Sequence, residues 1–110
     1  MHIVEQSISV AELKGMSFEK LVKAVVDVEK GIMTVDSDMH ADQEAFLLEQ
    51  GSKQGDLWGI NIYPYATEEN QIELTSLINF RPSWGNRSKS IENPEIQTKI
   101  IKIVHRLIKP

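Results

Sequence analysis

The chain has 110 residues and a formal net charge of −4; 41% of its residues are hydrophobic, 25% are charged and none is cysteine. That composition suits one globular domain over residues 1–110 rather than a disordered chain, and it leaves out disulfides, thiolate metal sites and thiol nucleophiles. No apolar run approaches the roughly 20 residues that span a bilayer, and Glu5 falls where a signal peptide needs its apolar stretch, so the expectation is a small cytoplasmic protein that does not enter a membrane.

In chain order, His2 to Ser9 reads as a short strand carrying Ile3, Val4 and Ile8. Ser9-Val10-Ala11-Glu12 fits a capping box, which predicts one helical turn ending near Gly15. Ser17 suits an N-cap. Leu21, Val22, Val25, Val26 and Val28 then recur at nearly helical spacing, opposite a polar face of Glu19, Lys20, Lys23, Asp27 and Lys30. This predicts a helix over 18–30 that ends at Gly31. Ile32 to Val35 reads as a short strand or as the last turn of that helix. A second helix is predicted over 40–50, with Gly51 as its stop.

Trp58, Ile60 and Ile62 alternate with Gly59, Asn61 and Tyr63, and Ile72, Leu74, Ile78 and Phe80 form a second alternating run. Two such runs joined by a polar link predict an antiparallel hairpin over 56–64 and 71–80. Matching the apolar faces puts Ile60 with Leu74 and Ile78, and puts Asn61, Tyr63, Glu73, Thr75, Asn79 and Arg81 on the other side. Arg81 to Glu92 is an irregular loop. Asn93-Pro94-Glu95 is a complete helix start, and Ile96, Ile100, Ile103, Val104 and Leu107 form the stripe of a last helix near 94–108. The fold class expected is α+β: a small antiparallel sheet with a central hairpin, covered by about three helices.

Charge is unevenly spread. Residues 1–80 hold five Lys/Arg against fourteen Asp/Glu, and residues 81–110 hold seven against two. The basic end can attract an anion, an acidic partner or the acidic front of a second copy. Within it, Arg81, Asn86 and Arg87 have the makings of an anion site: guanidinium forks, positive-φ tolerance at Gly85 and Asn86, and helix amides a few residues on. Asn61 and Asn79 would add polarity from the sheet. The plainer reading is a structural loop whose arginines pair with Asp56 or Glu73.

The segment Asp36 to Glu44 places potential ligands at every second position, and His40, Asp42 and Glu44 suit a divalent metal such as zinc or manganese. The plainer reading there is a solvated turn before an acidic first helical turn. Ala41 and Leu47 stand where a calcium loop needs glycine and a bidentate acid. Gly59 reads first as an ordinary weak point or bulge in a strand, the alternative being close approach of another backbone or a ligand, and Trp58 reads as a core anchor. No phosphate-loop or serine-hydrolase motif occurs, and an acidic chain without a dense Lys/Arg stripe argues against nucleic acid.

Several segments resemble, as a set, a family of small bacterial proteins known as domain of unknown function 5674. They are Val25-Val26-Asp27, Gly31-Ile32-Met33, His40-Ala41-Asp42, Leu47-Leu48-Glu49, Gly51-Ser52, Asp56-Leu57-Trp58-Gly59, Ile78-Asn79, Arg81-Pro82 and Gly85-Asn86-Arg87-Ser88. The resemblance spans roughly residues 15–108. It implies one small domain and brings no activity to carry over, so whether the protein is an enzyme stays open. The leading expectation is a binding module for a phosphate- or carboxylate-bearing ligand or partner, with no cofactor. One alternative is a small metal-assisted hydrolase of the phosphoester class, using His40, Asp42 and Glu44. Another is a homodimeric interaction protein.

Overall fold

Val22, Ala24 and Val26 project to one side of an extended segment while Val25 and Asp27 project to the other, and all five are buried. A strand covered on both faces is the natural setting for so many β-branched residues. In the computed structural model, which describes residues 1–110, that strand is the middle of a five-stranded antiparallel sheet. The strands are β1 (His2–Val4), β3 (Val22–Asp27), β4 (Ile32–Val35), β5 (Leu57–Ile62) and β6 (Ile72–Glu73), in the order β1-β4-β3-β5-β6. A separate parallel pair joins β2 (Ile8–Ser9) to β7 (Ile108–Lys109). The helices are α1 (Val10–Gly15), α2 (His40–Glu49) and α3 (Pro94–Leu107). The fold is α+β, and no helix is long and apolar enough to cross a membrane.

The helices divide between the two faces. Ile100, Ile103, Val104 and Leu107 of α3 and Leu13 of α1 share a core with Val22, Ala24, Val26, Met33, Val35, Ile60 and Ile62. On the opposite face Leu47 of α2 packs with Val25 and Leu57, bordered by Ile3, Ile32 and Ile78. Ser9 caps α1 as its sequence predicts, accepting from the Glu12 amide at 3.0 Å, and Asn93 does the same for α3.

The predicted helix over 18–30 is replaced by β3 and two turns. Its apparent helical spacing arises because both faces of β3 are covered, so apolar side chains of both parities line up. Ser17 caps no helix there: Phe18 and Leu21 exchange backbone bonds of 2.9 and 3.1 Å around Glu19 and Lys20, both at positive φ. At the far end the Asp27 carboxylate accepts from the Glu29 and Lys30 amides, each at 2.9 Å, and from the Ser52 hydroxyl at 2.7 Å. Gly31, at φ +69°, completes this turn into β4, so it closes a hairpin rather than a helix.

The predicted 56–64/71–80 hairpin forms only in part. Asn61 pairs with Glu73 and Ile62 with Ile72, after which the chain leaves the ladder and makes a 3-10 turn at Leu77–Asn79. Leu74 stays on the side of Ile60, while Ile78 crosses to the side of Leu57 and Leu47. The 3-10 turn breaks the period of two on which the face assignment rested. The predicted strand at 2–9 likewise splits into β1 and β2, which belong to different sheets.

Candidate functional site

Where β6 gives out, side chains take over its pairing with β5. The Asn79 carboxamide accepts from the Gly59 amide at 2.8 Å and donates to the Gly59 carbonyl at 2.9 Å, matching both backbone groups as a neighbouring strand would. Only glycine fits opposite it. A Cβ on residue 59 would lie 2.5 Å from the Ser76 Cβ and 3.0 Å from the Ile78 Cγ1. Asn86 organises the next stretch: its Nδ2 is shared among the carbonyls of Asn79, Ser88 and Ser90 at 2.7, 2.9 and 2.9 Å, and its Oδ1 accepts from the Glu92 amide at 2.9 Å. Arg81 and Asn86 exchange backbone bonds across a 3-10 turn at Pro82–Trp84, and Gly85 at φ +85° completes it. The result is inverted relative to an ordinary loop. Ser76, Asn79, Arg81 and Asn86 are buried, while Leu77, Phe80 and Trp84 are 72%, 54% and 55% exposed.

Arg81 is the centre of this arrangement. One terminal nitrogen, Nη2, lies 2.8 Å from Glu44 Oε2 on α2, the one Lys/Arg–carboxylate pair in the molecule. The guanidinium carbon sits 5.1 Å from the Trp58 ring centre and 5.5 Å from that of Trp84, within cation–π range of both. Two N–H donors at this stack, Arg81 Nη1 and Trp58 Nε1, are buried without a hydrogen-bond partner. Two acceptors from α2 and β5, Gln43 Oε1 and Asn61 Oδ1, are buried and unpartnered as well. Native interiors leave few polar atoms in that condition, and such atoms are commonly met by water or a ligand.

The structure therefore links the two patterns that the sequence presents separately, since Arg81 of the loop meets Glu44 of the acidic segment. It does not assemble His40, Asp42 and Glu44: alternate residues on a helix project in nearly opposite directions, Asp42 is exposed, and no group of three His, Asp or Glu side chains is placed to hold a metal ion. His40 Nε2 donates to the Ile60 carbonyl at 2.7 Å, which leaves Nδ1 as an acceptor in the neutral ring. Burial lowers its pKa below the ordinary 6.5, and the nearby Lys23 charge pushes the same way against the raising effect of the Ile60 carbonyl. Gln43 donates to the Lys23 carbonyl at 2.8 Å, just beyond the last β3–β4 pair, Val25 with Thr34.

Of the five residues expected to hold an anion, Arg81 alone keeps a buried donor without a protein partner. Asn79 is occupied by the Gly59 backbone of β5, and Asn86 by the loop's own backbone. Asn61 Nδ2 donates to Glu73 Oε1 at 2.8 Å. That carboxylate also takes the Tyr63 hydroxyl at 3.0 Å, and Tyr63's pKa is raised by loss of solvent and then by Glu73. Arg87 is exposed, and its amide donates to the Glu92 carboxylate. The expected partners of the arginines, Asp56 and Glu73, give way to Glu44. Gln43 and the indole N–H of Trp58 were not singled out by sequence. Gln43 had a signal, standing one helical turn before Leu47 on the buried stripe; the stacking of Trp58 on Arg81 had none.

Comparison with curated proteins and with solved structures gives no match. The family model described as "Protein of unknown function (DUF5674)" matches residues 2–107, which hold the whole five-stranded sheet and all three helices. The chain belongs to that family.

Proposed function

We propose that the protein is a binding module for a ligand or partner bearing a carboxylate or phosphate group, held at the Arg81 stack. The observation that supports this reading is the pair of buried, unpartnered donors, Arg81 Nη1 and Trp58 Nε1, on side chains stacked 5.1 Å apart. An oxyanion accepting from both would use the half of the guanidinium that Glu44 leaves free. Trp84, 55% exposed, has its ring centre 5.5 Å from the Arg81 guanidinium carbon; in this reading it swings aside to admit the ligand, and a planar group on the ligand stacks in its place. Arg87 and Lys89, exposed on the same loop, add long-range attraction that offsets the Glu44 charge.

The test is a titration of the intrinsic tryptophan fluorescence with inorganic phosphate, acetate and adenosine monophosphate. Trp58→Phe keeps the packed ring but removes the donor. It is expected to weaken binding about tenfold or more, the scale of a hydrogen bond to a charged group, while circular dichroism stays unchanged. No saturable signal with any of the three, or equal binding by Trp58→Phe, refutes the reading.

The exposure of Leu77 and Phe80 favours a second reading, self-association of two copies through this loop. Sedimentation showing a monomer at every concentration would end it.

A further inference from the structure

A cleft of about 860 Å³ lies away from Arg81, between the Phe18–Leu21 turn and the segment leading from β4 into α2, a size typical of ligand and peptide sites. Met16, Phe18, Leu21 and Met39 form its apolar wall. Phe18 and Met39 are 73% and 55% exposed, so the wall presents large side chains rather than hiding them. Glu19, Asp36, Asp38 and Asp42 stand on the same lining, and none of them lies within ion-pair distance of a Lys or Arg. The one cation in the lining, Lys23, is turned to the backbone, its Nζ donating to the Asp38 carbonyl at 2.8 Å.

An apolar floor with unpaired carboxylates around it selects by charge as well as by shape. We propose that this cleft docks an apolar peptide segment of a partner protein that carries flanking Lys or Arg side chains. The apolar side chain of such a segment covers Phe18 and Met39, and its cations face the four carboxylates. An acidic segment would meet like charge at the same positions and be rejected. The two methionines let the wall repack around side chains of different shape. The reciprocal backbone bonds between Phe18 and Leu21, 2.9 and 3.1 Å, hold Phe18 in place beforehand, so the ordering cost falls mainly on the peptide. None of these residues contributes to the Arg81 stack, and the two sites stand or fall separately.

The probe is a short fluorescent lysine–leucine peptide, compared by polarisation with its glutamate–leucine and lysine–serine counterparts. The lysine–leucine peptide is expected to bind with an affinity that falls as salt rises, and the other two at least about tenfold more weakly. Asp38→Asn and Asp42→Asn, both at exposed positions, should each weaken it about twofold to fivefold. Phe18→Ser should weaken it about tenfold. Amide NMR shifts should fall on residues 16–23 and 36–42. Absence of binding, equal binding of the glutamate–leucine peptide, unchanged affinity in all three variants, or shifts mapping elsewhere overturns the proposal. Sedimentation of the protein alone covers the remaining occupant. A self-associated species that Asp42→Asn dissolves would make that occupant a second copy and overturn the assignment to a foreign partner.

Discussion

Gly59→Ala tests whether side chains replace a missing strand at the edge of β5. The added Cβ would sit 2.5 Å from the Ser76 Cβ, 2.6 Å from its Oγ and 3.0 Å from the Ile78 Cγ1. Carbon atoms rest about 3.5–4.0 Å apart, so the Ser76–Asn79 segment must retreat by roughly 1 Å. That stretches both Asn79–Gly59 bonds, now 2.8 and 2.9 Å, beyond useful hydrogen-bond range. Overpacking typically costs about 1–3 kcal/mol, and buried polar groups left without partners cost about 1–3 kcal/mol each. Against this, alanine reduces the freedom of the unfolded chain by about 0.4–1 kcal/mol. Retreat of the segment relieves the overlap as it breaks the bonds, so the low end of each cost applies, and the net expectation is a loss of about 3 kcal/mol. At about 2.1 cal/mol/K of unfolding entropy per residue, a chain of this length loses about 4 °C in Tm per kcal/mol, so the melting point should drop by roughly 10–15 °C. The assay is urea and thermal unfolding of the wild type, Gly59→Ala, Ser76→Gly and the double variant. Ser76→Gly removes the nearer obstacle, so the double variant should recover about half of the loss, a positive coupling between neighbouring sites. A drop below about 1 kcal/mol in Gly59→Ala, or no recovery in the double variant, refutes the reasoning.

Two further outcomes follow from the same geometry. Asn86→Ala strips three carbonyls and the Glu92 amide of their side-chain partner; it should destabilise by about 2–4 kcal/mol and speed hydrogen exchange across 79–92, and exchange unchanged there would show that the loop is held by other means. For His40, the folded pKa lies below the ordinary 6.5, so the neutral ring's contribution is complete above that value and is lost as pH falls through the folded pKa. His40→Gln retains a donor for the Ile60 carbonyl; the wild-type Tm should therefore decline more steeply than the variant's as pH is lowered from neutrality, and parallel profiles would show that His40 titrates normally.

What sequence alone settled about this protein was local. The Ser9 and Asn93 caps, the α2 and α3 helices and the alternation in β5 each depend on neighbouring residues and their preferred geometry. Tertiary structure decided the rest. Val22 to Val28 has a spacing shared by a helix and by a strand buried on both faces, and only the presence of α3 on one side and α2 on the other chooses between them. Ile78 changes face because a 3-10 turn interrupts its strand, an event no alternation pattern records. The candidate site depends on tertiary structure most of all. Arg81 and Glu44 are 37 residues apart in sequence, and Trp58 belongs to a third segment. Their meeting is set by how α2 and the loop after β6 pack around β5. Charge, stacking and unpartnered donors arise from that packing, because they are properties of contacts between segments rather than of any segment alone.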